Sequence, residues 1–203
     1  MNRGFHRLSV IACAAFLLLP AGAAAELLHF RVDPDATRFT AAVEEPMSTL
    51  RGSALGTFRV VSGEVWGDTR DSAATARVTI AIDAASYTSS SSMRDRAVRG
   101  SVLEADRFPA ITFSSTGVSR VAMTSPRSGS AVIAGNLTLH GVTHAIRVPV
   151  SVSVDDSGRL IADGEVSFKY DEYGMSPPTL MFGALAAGNV ATVTFRVVGV
   201  RAP

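Results

Sequence analysis

Residues 146–168, IRVPVSVSVDDSGRLIADGEVSF, alternate apolar and polar side chains on either side of a turn. Ile146, Val148, Val150, Val152 and Val154 alternate with Arg147, Pro149, Ser151, Ser153 and Asp155. After Asp155-Asp156-Ser157-Gly158 a second row follows: Leu160, Ala162, Gly164, Val166 and Phe168. A period of two puts alternate residues on one face of a strand. Two such rows joined by Asp, Ser and Gly form a hairpin. Each row spans nine residues, beyond the usual strand of about 5–6, which suits a tall curved sheet or barrel. Pro149 has no N–H to donate, so an edge, bulge or irregular ladder position is expected there.

The same period recurs along the chain. Ala76, Val78, Ile80 and Ile82 form one row, and Ala191, Val193, Phe195 and Val197 another. Shorter strands are expected at His29–Val32, Arg38–Val43, Gly56–Trp66, Ala110–Ser115, Arg120–Met123 and Ala131–Leu139. Turn residues separate them at Asp33-Pro34-Asp35, Pro126–Gly129 and Gly141. Ser89–Gly100 breaks the pattern. Its serines suit N-capping, Met93, Ala97 and Val98 share one face, and Gly100 stops it, which predicts a short amphipathic helix. Residues 172–188 read as a loop with one helical turn around Leu180–Leu185. No helices alternate regularly with the strands, which argues against a dinucleotide-binding α/β sheet. The class is all-β, a sandwich or a barrel.

The N-terminus stands apart. Arg3, His6 and Arg7 precede an apolar run to Leu19, and small residues follow at Ala21–Ala25. That is the layout of a secretory signal peptide over residues 1–25, with cleavage before Glu26 and a single domain over 26–203. Val10-Ile11-Ala12-Cys13 resembles a lipoprotein cleavage box, but cleavage there would halve the apolar run; a lipidated Cys13 is the alternative. Removing residues 1–25 from the 203 leaves 178 residues without cysteine. Thiol catalysis, disulfides and thiolate metal sites are thereby excluded. The 19 Lys and Arg fall to 17 against 18 Asp and Glu. Such a near-neutral balance gives no electrostatic reason to expect a nucleic-acid partner.

Motifs for catalysis are sparse. His140 and His144 flank Gly141-Val142-Thr143 between two strand rows, with no glutamate beside His140 of the kind a zinc hydrolase carries. No serine lies in a strand–turn–helix nucleophile motif. Neither a metal nor a cofactor is expected. The apolar inventory says more: Phe30, Phe39, Phe58, Trp66, Phe108, Phe113, Phe168, Phe182 and Phe195 are spread over nearly every element. A barrel of about eight strands either fills its interior with side chains or leaves room for one ligand.

Several blocks, in order and spacing, carry a resemblance. They are Val32-Asp33-Pro34, Gly56-Thr57-Phe58 with Gly63, Ile82-Asp83-Ala84, and Met93-Arg94-Asp95 with Arg99. Phe108-Pro109-Ala110-Ile111-Thr112-Phe113 follows, then Gly135 through Thr143, then Tyr173-Gly174. Over residues 28–200 the chain resembles the YceI-like family of periplasmic polyisoprenoid-binding proteins. The resemblance implies an extended, eight-stranded, lipocalin-like antiparallel barrel with a short helix. It further implies a periplasmic location, an interior channel for an isoprenoid lipid or quinone, no enzyme activity, frequent dimers, and transient contact with a membrane or membrane protein.

On that resemblance Arg94, Asp95, Phe108 and Pro109 are structural, with Arg94 and Asp95 capping or pairing where the helix meets the barrel. The expected channel lining is Phe39, Phe58, Ile80, Ile82, Met93, Phe113, Leu137, Ile146 and Phe168, with Leu180, Met181 and Phe182 as a flap over the mouth. The chain departs from the pattern twice. Glu44-Glu45-Pro46-Met47-Ser48 stands where relatives tend to carry a histidine, and Glu172-Tyr173-Gly174 replaces acid-Phe-Gly ahead of Pro177-Pro178. Two other readings compete: a packed barrel serving as an envelope stress or interaction protein, and an enzyme acting on an apolar lipid with His140 or His144 as base.

Overall fold

The computed structural model describes residues 27–43, 54–59, 61–68, 72–180, 185–186 and 188–203. The first strands are β1 (Leu27–Val32), β2 (Arg38–Val43), β3 (Ala54–Phe58), β4 (Val61–Asp68), β5 (Arg77–Asp83) and β6 (Thr88–Ser89). Four long strands follow: β7 (Ala110–Ser125), β8 (Ser128–Leu139), β9 (Val142–Val154) and β10 (Leu160–Lys169). Two-residue strands β11 (Thr179–Leu180) and β12 (Leu185–Ala186) precede β13 (Val190–Arg201). A helical turn α1 (Ser72–Thr75) joins β4 to β5, and helix α2 (Ser92–Ala97) runs into a π-helical turn, Val98–Val102.

Strands β1, β4, β5, β7, β8, β9, β10 and β13 pair in that order, all antiparallel, and β1 closes onto β13. The result is an eight-stranded closed barrel. Closure removes the unpaired edges that an open sheet of this length would expose. Strands β2, β3 and β6 extend the sheet from the first half of β13, which pairs with β2 over Ala191–Arg196 and with β1 over Gly199–Arg201. Between those stretches the chain steps off the ladder at Asp33–Thr37. There the fully buried Thr37 supplies a hydroxyl that accepts from Val198 N at 3.0 Å, replacing the missing backbone partner.

The two ends of the barrel differ. One carries α1, the turn before Ser128 and the turn at Asp155–Gly158. The other carries α2 and the turn His140-Gly141. Both residues of that turn have positive φ, 53° and 75°, as a two-residue hairpin turn requires. At the α2 end β6 pairs with β3, and β7 starts only at Ala110, so the helix and its π-turn lie in sequence across the step from β6 to β7.

Some strand boundaries differ from those the periodicity predicts. Gly56–Trp66 is divided into β3 and β4, whereas Ala110–Ser115 and Arg120–Met123 are parts of one strand, β7, with register shifts that absorb the break in alternation. Leu180 and Leu185 pair across β11 and β12, so these positions are extended and not helical. Pro149 sits in the β8–β9 ladder opposite Val132, but the β9–β10 ladder runs only from Val150 to Val154. Lacking an N–H, Pro149 marks the point where β9 and β10 part. Tyr173, 1% exposed, bridges the seam beyond it: its ring lies 5.5 Å from Phe168 on β10 and 4.9 Å from His144 on β9.

Candidate ligand channel

The barrel interior is open. A cavity of about 760 Å³ runs from Val65, Ala76 and Leu160 at the α1 end to Tyr87, Met93 and Arg94 at the α2 end. That volume is within the range of roughly 300–1,000 Å³ for small-molecule sites. The alternating rows supply its wall. Ala76, Val78, Ile80 and Ile82 line it from β5 and the residue before it; Val148, Val150 and Val152 from β9; Leu160, Ala162, Val166 and Phe168 from β10; and Ala191, Val193, Phe195 and Val197 from β13. Along β10 the lining from Leu160 to Phe168 spans roughly 26 Å at about 3.3 Å per residue.

The lining is graded along its length. Toward α1 it is aliphatic: Val65, Ala76, Val78, Val118, Val152 and Leu160. Toward α2 it is aromatic. Phe39 stacks with Phe195 at 5.5 Å, Phe58 meets Tyr87 edge-on at 5.5 Å, and Phe168 meets Tyr170 at 6.2 Å. Three of the rings rest over glycines of the wall: Tyr87 over Gly56, Phe113 over Gly135, and Phe195 over Gly164. A side chain at any of these glycines would overlap the ring. Holding bulky rings against bare backbone keeps them out of the axis.

Of the lining residues expected from the sequence, Phe39, Phe58, Ile80, Ile82, Met93, Phe113, Leu137 and Phe168 all border the cavity. Met93 does so at the mouth, where it is 74% exposed. Ile146 does not border it. It lies beyond Pro149, in the part of β9 without a β10 partner, and packs half-buried against the cluster of Ala131, Val148 and Val150. Of the expected flap, Leu180 belongs to β11, while Met181 and Phe182 lie outside the described residues, as do the 1–25 segment and Glu44–Ser48.

The motif residues have separate tasks. Ser91 caps α2 by accepting from Arg94 N, and the buried Asp95 carboxylate accepts from Ser89 N at 2.7 Å and Ser89 Oγ at 2.6 Å. The buried position of the helix is thus Asp95, because its two hydrogen bonds satisfy a charge that would otherwise be costly inside. Pro109 accepts from Ala84 N at 2.9 Å, and the Phe108 ring sits 4.3 Å from His140, tying the connector to the β8–β9 turn.

The polar side chains that border the cavity at the α2 end are Arg94, Tyr87 and Tyr170, with Ser91 and Thr112 beside them. The sequence did not single out the tyrosines, since a buried tyrosine at period two looks like any other core aromatic. Burial pushes the Tyr170 hydroxyl up to about 12 and also raises that of Tyr87, where the nearby Arg94 charge pulls the other way. Neither histidine borders the cavity. His140 faces Glu104 at 3.2 Å and His144 is held by the Glu172 carbonyl at 2.8 Å. Among the described residues no three His, Cys, Asp or Glu side chains converge as a metal site.

Known proteins share this architecture. The chain is 31% identical over 144 residues to a UPF0312 protein of Vibrio vulnificus strain YJ016, covering 70% of this chain and 72% of that protein. BcnA of Burkholderia cenocepacia superposes with a TM-score of 0.69 at 20% identity, over 82% of this chain and 98% of BcnA. A polyisoprenoid binding domain from Saccharophagus degradans, implicated in plant cell wall breakdown, gives 0.67 at 16% identity, over 88% and 100%. The model of the YceI-like domain matches residues 30–199. The chain belongs to the YceI-like family.

Proposed function

We propose that the protein carries or stores one long apolar lipid of isoprenoid type inside the barrel, and that it is not an enzyme. The observation that carries this reading is the continuous channel of about 760 Å³, aliphatic at one end and aromatic at the other. Each Å² of apolar lipid surface taken from water contributes roughly 25 cal/mol. A filled barrel would have favoured the packed interaction protein, and the open interior weighs against it. The two histidines, held in contacts outside the channel, give an enzymatic reading no base that faces a bound lipid. The polyisoprenoid binding domain of similar fold supports the ligand class. The basic, apolar and small-residue succession in residues 1–25 supports export to the periplasm. The exposed Met93 at the mouth suits transient contact with a membrane during loading.

The test is native mass spectrometry of protein purified without detergent from its own host, followed by solvent extraction. The expected result is one discrete lipid adduct per chain. Ala162→Trp, which fills the middle of the channel, should abolish the adduct in protein that still melts cooperatively. Bare protein that also takes up no offered polyprenol or quinone would overturn the reading.

A further inference from the structure

The channel has a polar end that its apolar lining does not explain. Arg94 projects from α2 into the cavity wall, half-buried, and among the described residues its guanidinium has no hydrogen-bond or ion-pair partner. Its neighbour Asp95 does not neutralise it through a contact, because that carboxylate is turned to Ser89. Tyr87 is close enough to feel the charge of Arg94 and, more weakly, that of Asp95, and Tyr170 is close enough to feel Tyr87. Both tyrosine backbones are engaged, Tyr87 N with Ala84 O and Tyr170 N with Asn189 O, but their hydroxyls have no hydrogen-bond partner among the described residues. A guanidinium and two hydroxyls that face the open cavity without a partner among the described residues are available to the polar head of a ligand.

Resting on the carrier reading, we infer that Arg94, Tyr87 and Tyr170 form the head-group end of the channel and select a lipid with an anionic oxygen head, a phosphate or a carboxylate, over a neutral one. All three groups are donors: the guanidinium always, and the hydroxyls because burial keeps them protonated. Charge-assisted bonds to an oxyanion are roughly twice as strong as those to a neutral carbonyl. A quinone or alcohol oxygen can accept from the same donors but brings no counter-charge to the guanidinium. The tail then extends away from Arg94 toward Leu160, where the lining is aliphatic.

The experiment compares delipidated protein binding farnesyl phosphate, farnesoic acid, farnesol and a short-chain ubiquinone at low salt. The phosphate and the acid should bind about tenfold or more tighter than farnesol. That ratio should fall toward one in Arg94→Gln and persist in Arg94→Lys, with the melting temperature of each variant establishing that it folds. Tyr87→Phe and Tyr170→Phe should each lower the ratio in part. Selection of the phosphate without the acid, or the reverse, would name the head while upholding the oxyanion site. Equal affinity for farnesol and the two acids, or a ratio unmoved in Arg94→Gln, would overturn the head assignment and leave the carrier reading standing. Failure of all four ligands to bind would overturn both.

Discussion

The ring of Phe195 stands over Gly164, its partner across the β10–β13 ladder: a Cβ at position 164 would lie 2.5 Å from Cζ of Phe195 and 2.8 Å from the Pro149 carbonyl oxygen. Gly164→Ala should therefore push the ring toward the channel axis. The expected cost is about 1–3 kcal/mol, the usual penalty of overpacking, together with weaker lipid uptake. Denaturant unfolding and lipid titration check the two effects, and unchanged uptake would mean that the ring does not bound the ligand space.

Thr37 closes the gap between β1 and β2 through its hydroxyl. Thr37→Val keeps the shape but leaves Val198 N–H buried without an acceptor. A loss of about 1–3 kcal/mol is expected from the unsatisfied donor. For a domain of this size that lowers Tm by several degrees, at about 2–4 °C per kcal/mol. A thermal scan checks it.

Asp95 holds α2 to β6 by two hydrogen bonds to Ser89. Asp95→Ala should cost about 1.5–3 kcal/mol, the range for bonds to a charged group, and Asp95→Asn less, since one acceptor oxygen remains. Amide exchange should show α2 and Ser89 opening together in the alanine variant. Unchanged protection at Ser89 would count against the contact.

Asp155 organises the β9–β10 turn. Hydrogen bonds from Arg159 N, and then from Ser157, hold its carboxyl well below its ordinary value of 3.8, to about 2. Because the folded value is depressed, the turn's contribution is complete above 3.8 and is lost as pH falls toward 2. The Tm difference between the wild type and Asp155→Ala should be constant near neutrality and shrink across that window. A difference that persists at pH 2 would exclude the carboxylate as its source.

Much of the wall was legible in the residue pattern. The rows at Ala76–Ile82, Leu160–Phe168 and Ala191–Val197 face the channel, because alternation places every second residue on one side whatever the strand's neighbours are. The errors fall where a local rule met a tertiary demand. The face of Met93, Ala97 and Val98 does not single out Asp95, yet Asp95 is the buried position of α2, since Ser89 supplies the bonds that make a carboxylate tolerable there, while Met93 borders the channel at its exposed mouth. Ile146 continues an apolar row, yet Pro149 has already parted β9 from β10. Leu180–Leu185 looked helical, and pairing drew both ends into strands.

By itself the sequence determined the all-β class, the inward faces, the turns and the family, because these depend on neighbours along the chain. Only the tertiary structure decided whether the barrel was solid or hollow. That depends on which ring rests on which glycine: strand pairing brings Phe113 to Gly135 and Phe195 to Gly164, and the pairing of β3 with β6 brings Tyr87, just before β6, to Gly56. The same holds for Arg94. Its charge is visible in the sequence, but that its guanidinium has no partner among the described residues is a property of the space around it.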